Sequence, residues 1–217
     1  MTLARELARA GAVAGLLACA SAPPVVRLPE PASGVPDRTL VVSVAGLGAD
    51  ALARDMPIAA ALAEAGALAE HVRSVAPAAT YPAHATLVTG VATRVHGVVS
   101  DHLLGDRGVR AARYAHASHL KVATLWQRAH ESGMSVASLD WPSTLGAAIP
   151  LLLPDTSAPR GDVSWAEAVR ADTTPALHGL LLANGGDGIE AARAGPQRDT
   201  ALTEIACELL GSEAPPR

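Results

Sequence analysis

The chain has 217 residues, no phenylalanine and only 2% aromatic residues, so any core is built from alanine, valine, leucine and isoleucine. Hydrophobic residues make up 49% and charged residues 18%, which argues against a disordered chain and suits one folded domain. A net charge of −4 without a basic cluster argues against nucleic acid as a bound partner but leaves a nucleotide substrate open, and two cysteines, Cys19 and Cys207, make neither a disulfide framework nor a cysteine metal site.

In chain order, residues 1–18 place Arg5 and Arg9 ahead of an apolar run that starts at Ala10. This is a signal-peptide outline, too short to span a bilayer as a stable helix. The run ends Leu-Leu-Ala-Cys at Cys19, similar to a bacterial lipoprotein cleavage box. Cys19 is then the expected lipidated residue, and the expected location is exported, periplasmic or membrane-anchored. Leu17 and Glu6 are unusual in such a leader, and an ordinary N-terminal helix is the alternative. Residues 19–38 are proline-rich and read as a semi-rigid extended linker, as a membrane tether needs.

The folded domain is expected over residues 39–217. Leu-Val-Val-Ser-Val at 40–44 is a continuous apolar run, predicted as a strand buried on both faces. Residues 49–65 read as helical, with Pro57 opening a new helix and Gly66 stopping it. Leu68–Val75 is predicted as a second strand and residues 83–89 as a helix. Leu103–Ser118, rich in Gly, Arg and His, is predicted as loop. Val122–Ser132 reads as a helix stopped by Gly133, and Met134–Asp140 as a strand ended by Trp141-Pro142. Ser164 and Glu167 have capping-box spacing, so a helix is predicted from 165 to 171. Ala176–Ala183 reads as an apolar strand, and Asp199–Leu210 as a helix with Gly211 past its end. Strands alternating with helices predict an α/β class with a mainly parallel sheet.

The most informative stretch is Pro77 to His102, P-A-A-T-Y-P-A-H-A-T-L-V-T-G-V-A-T-R-V-H-G-V-V-S-D-H. Pro77 and Pro82 restrict the backbone around Thr80, and the predicted helix puts Thr80 near its N-terminus. Free N–H groups and the positive dipole end make such a place a seat for phosphate. Taken alone, a threonine there is a plain N-cap far more often than a nucleophile. The run resembles the nucleophile segment of the nucleotide pyrophosphatase/phosphodiesterase branch of the alkaline phosphatase superfamily, T-[FY]-P-x-H-x-T-L-x-T-G-x(5)-H-G-[IV]. A second block, Thr124 to Gly146, is similar to that family's segment ending in Trp-Pro. The resemblance covers residues 39–155. It implies an alkaline-phosphatase-like sheet flanked by helices, of which this chain carries the N-terminal half. It also implies hydrolysis of phosphate esters by a threonine nucleophile that two zinc ions activate, with Thr80 in the nucleophile position and Tyr81 and Asp101 in substrate-binding positions.

The ligands that this resemblance implies are not in place. Ala45 stands where the first aspartate is expected, and a methyl group cannot replace a carboxylate. Gly188 and Ala192 stand where an aspartate and a histidine are expected. The resemblance implies further ligands in a C-terminal half beyond the stretch that it covers here. Asp101 stands where the family has an asparagine that donates to phosphate; an ionised aspartate only accepts and repels an anion. No cofactor is therefore expected. The pair Asp101-His102 imitates a ligand pair out of order and reads as coincidence.

His84 and His96 belong to the motif and are expected to hold the loop by hydrogen bonds. His116 and His119 have a metal-like spacing but fall in a predicted loop and read as surface residues. Trp126, Trp141 and Trp165 read as packing. Three functions stay open: a degenerate family member with little or no hydrolase activity; a working hydrolase with substitute ligands such as Asp50, Asp101 and Asp187; and a non-catalytic exported binding or structural lipoprotein. The expected partners are a small phosphate ester, a membrane through the lipid alone, and a second copy through an open sheet edge.

Overall fold

The computed structural model describes residues 38–69, 71–106, 108–155, 165–183, 196–212 and 215–216. Residues 49–65 form two helices, α1 (Ala49–Asp55) and α2 (Pro57–Ala65). Proline lacks an N–H donor, so it can open a helix but not continue one, and the break falls at Pro57 as predicted. Helix α3 (Thr80–Thr89) and the single turn α4 (Thr93–His96) carry the motif. Each ends on a glycine with positive φ, Gly90 at 68° and Gly97 at 86°. A side chain at Gly97 would also meet the stem of the exposed Lys121 at 2.8 Å, which can swing aside, so it is the torsion that requires glycine.

A hairpin follows, β1 (His102–Gly105) against β2 (Gly108–Arg113), antiparallel, with Gly105 facing Gly108 at the turn. A short 3-10 turn, Ala117–His119, leads to α5 (Leu125–Glu131). The capping box of Thr124 and Gln127 sets the start of α5: the Gln127 side chain accepts the Thr124 N–H at 2.8 Å. Strands β3 (Ala137–Trp141) and β4 (Leu151–Pro154) pair in parallel, with Ala137 beside Leu151 and Leu139 beside Leu153. Helices α6 (Trp165–Asp172), α7 (Pro175–Ala183) and α8 (Pro196–Gly211) complete the described elements.

Strand β4 organises the core because consecutive side chains of a strand point to opposite faces. Leu153 packs with Val169, Leu177, Ile205 and Leu209 of the last three helices. Leu152, on the other face, packs with Val88 of α3, Trp126 of α5 and Ile149. A parallel pair covered by helices on both sides is an α/β arrangement. Beside it, Tyr81, Ala85 and Val98 close a third cluster under the motif.

Four predicted elements are corrected. Residues 40–44 form no strand: Leu40, Val41, Val42 and Val44 are exposed, and no described segment pairs with them. Their composition is that of a buried strand, but a strand exists only when a neighbour takes its N–H and C=O groups. The same holds for 68–75, where Leu68 and Val72 face solvent. Residues 176–183 are helical, not a strand. The run has no β-branched residue, which favours helix, and Pro175 opens it with Leu177 fully buried. The predicted loop at 103–118 contains the hairpin, whose signal was the two-residue connection between Gly105 and Gly108. Among the described residues no helix is long and apolar enough to cross a membrane.

Candidate functional site

Thr80 is the first residue of α3, with Ala79 extended at the cap position, so it does not serve as the N-cap. It is exposed at the open end of the helix. This N-terminus has few donors to offer an anion. Pro82 has no N–H, and the Ala83 N–H already bonds Ala79 O at 3.0 Å. The Tyr81 N–H donates to Asp101 Oδ1 at 2.8 Å. The Thr80 N–H has no hydrogen-bond acceptor among the described residues. The carboxylate of Asp101 thus takes up an amide that an anion at this helix end would otherwise use.

The Tyr81 side chain is turned inward and fully buried, so a direct substrate contact by its ring, expected from the resemblance, is not what the structure places there. Its hydroxyl donates to Asp155 Oδ2 at 2.5 Å. Burial first, and then the Asp155 carboxylate, push the phenol well above its ordinary range. Asp155 lies 3.9 Å from the Arg198 guanidinium, which also bonds Asp140. Asp140, near the end of β3, has φ 57°, and Ser143, in the turn that follows, has φ 59°, so both are left-handed non-glycine residues. Burial outweighs the Arg198 pairing and raises the Asp140 carboxyl to about 6. Asp140, Asp155 and Arg198 were missed in the sequence, because no spacing links residues 58 positions apart in the chain.

His84 and His96 hold the motif as expected. His84 Nδ1 lies 2.7 Å from Thr80 O, one turn back, and Nε2 lies 2.9 Å from Ser43 Oγ. A carbonyl only accepts, so Nδ1 carries the proton and Nε2 accepts from the serine hydroxyl. The Trp141 ring meets the imidazole edge-on at 5.0 Å. His96 is fully buried; its Nδ1 accepts the Val98 N–H at 3.1 Å, so Nε2 carries the proton toward Thr86 Oγ1 at 3.0 Å. Burial pushes its pKa down, which keeps it neutral.

Trp126 is packed in the core as expected, while the side chain of Trp165 lies outside those described. His116 is exposed, but His119 is half-buried, its ring 5.3 Å from that of Tyr114 and 5.8 Å from that of His116. The surface reading therefore fails for His119. An open hollow lined by His116, Leu145, Gly146, Ala171 and Asp172 includes no residue of the nucleophile segment.

The donor set around Thr80 does not fit zinc. Ala45 offers a methyl group, Asp50 is exposed in the first turn of α1, and Asp101 is committed to an amide. Among the described residues no three His, Cys, Asp or Glu side chains converge on one point. Asp187, Gly188, Ala192 and Cys19 lie outside the described residues.

A family model described as type I phosphodiesterase / nucleotide pyrophosphatase matches residues 39–183. No curated protein and no solved structure matches.

Proposed function

Since the chain belongs to the type I phosphodiesterase / nucleotide pyrophosphatase family, we propose that it keeps the family's nucleophile helix, with Thr80 in the attacking position, on an alkaline-phosphatase-like framework, and hydrolyses phosphate esters weakly or not at all. The observation that carries this reading is the Asp101 carboxylate on the Tyr81 amide. An asparagine there would present donors to phosphate, whereas the ionised aspartate fills the seat and repels the anion. Ala45 points the same way, because it removes a carboxylate from the place where a zinc ligand is needed. An exported binding or structural protein is the alternative.

The purified protein is expected to bind no stoichiometric zinc and to leave an aryl phosphodiester at the background rate. Metal analysis together with a chromogenic assay checks both. Two zinc ions per chain, with a rate that disappears in Thr80→Ala, would overturn the reading.

The same reading includes export and lipidation at Cys19, which rests on Leu-Leu-Ala-Cys after the apolar run and on the proline-rich tether behind it. In the native host, Cys19→Ser is expected to move the protein from the membrane to the soluble fraction. A mature protein that still begins at Met1 contradicts it.

A further inference from the structure

The geometry points to Ser43 as a metal-independent nucleophile, activated by His84, for neutral carboxylic esters. Ser43 is exposed, and its hydroxyl lies 2.9 Å from His84 Nε2. The opposite ring nitrogen donates to the Thr80 carbonyl at 2.7 Å, which sets the tautomer that a general base needs. Trp141 steadies the ring from its edge. Nucleophile, base and an orienting acceptor in series are the functional parts of a serine–histidine hydrolase, here with a main-chain carbonyl in the third place. Thr80 has no such partner: no base bonds its hydroxyl among the described residues.

The step balances without a cofactor. Ser43 Oγ attacks the ester carbonyl carbon while its proton passes to His84 Nε2, and the Thr80 carbonyl stabilises the imidazolium through Nδ1. The tetrahedral adduct expels the alcohol, which takes the proton from Nε2. Water, deprotonated by the same nitrogen, then releases the carboxylic acid and restores Ser43. Among the described residues the Thr80 N–H, at the start of α3, has no hydrogen-bond acceptor. Asp101 decides the substrate class: its charge on the neighbouring amide disfavours phosphate esters and leaves neutral esters unaffected. This inference needs no phosphodiesterase chemistry, so it stands or falls apart from the preceding one.

The test is labelling of the full chain with a fluorophosphonate probe, followed by peptide mapping, with p-nitrophenyl acetate as the turnover substrate. Trypsin separates Ser43, in the peptide Thr39–Arg54, from Thr80, in Ser74–Arg94. The expected result is a label on Ser43 that is absent in Ser43→Ala and slowed about 100-fold in His84→Gln, the usual contribution of a general base. Ser43→Ala changes an exposed position and keeps the test decisive if His84→Gln does not fold. No label, a label on Thr80, or an equal rate in a folded His84→Gln would overturn the inference. The Ser43–His84 bond would then be a clamp that ties residues 40–44 to α3.

Discussion

His96→Ala is expected to lower the melting temperature by about 10 °C, because the histidine satisfies two groups at once. Its Nδ1 is the acceptor for the Val98 N–H, and Val98 is fully buried. Its Nε2 meets Thr86 Oγ1, joining the turn after α3 back to the helix. Stranding the amide costs about 1–3 kcal/mol, and losing the fully buried ring leaves a cavity in its place. The sum is about 3–4 kcal/mol, and a domain of this size loses about 2–4 °C per kcal/mol. His96→Asn separates the two bonds. Its carboxamide oxygen can reach the Nδ1 position and keep the Val98 bond, so it is expected to recover about half of the loss. Thermal melts of the three proteins decide; an alanine variant within 2 °C (about 1 kcal/mol) of the parent would remove His96 from the framework.

The second large effect concerns pH and Asp140. Its carboxyl is raised to about 6 in the fold, chiefly by burial, although Arg198 pulls the other way. A raised carboxyl contributes stability that is fully present below the ordinary value of 3.8 and is lost as pH rises through about 6. At pH 7 the folded chain therefore bears the cost of an ionised, largely buried carboxylate, about 2–3 kcal/mol for a shift of about two units. Asp140→Asn is neutral, tolerates the left-handed φ of 57°, and leaves Arg198 near Asp155 at 3.9 Å. The variant is expected to melt about 5 °C above the parent at pH 7, with the difference shrinking toward zero at pH 4. His96 titrates in the opposite sense: its lowered value gives stability that is present above about 6.5 and lost as pH falls. Because both proteins carry His96, the difference between them isolates Asp140. An asparagine variant that is less stable than the parent at pH 7 would mean that the Arg198 pair outweighs burial.

The elements that could be read from the sequence were those with punctuation. Pro57 and Gly66, the Thr124–Gln127 box with Gly133 and the helix that ends at Gly211 are set by local torsions and by donors a few residues apart, and the helix expected from 165 is present over Trp165–Asp172. The motif itself was equally local: Thr80 opens a helix, His84 reaches back one turn, and His96 closes onto Thr86 ten residues away. The family followed from the same run, and the match over residues 39–183 agrees. The apolar runs were not legible in this way. Leu40–Val44 and Ala176–Ala183 look alike as hydrophobic stretches, yet the first is unpaired and exposed while the second is a helix with Leu177 fully buried. Hydrophobicity says that a segment prefers burial, and only its neighbours decide whether burial happens.

The chemistry of the site divides in the same way. The sequence by itself determined which groups are absent: no carboxylate at Ala45, no N–H at Pro82, no neutral amide at Asp101. Those are facts of composition at a position, and no fold can reverse them. Only the tertiary structure decided where the remaining groups act. It brought Asp101 onto the Tyr81 amide, Ser43 onto His84 across 41 positions of chain, and Arg198 between Asp140 and Asp155. Hydrogen bonds and ion pairs act over about 3–4 Å in space whatever the separation along the chain, so partners that the chain keeps far apart are joined only when the core closes.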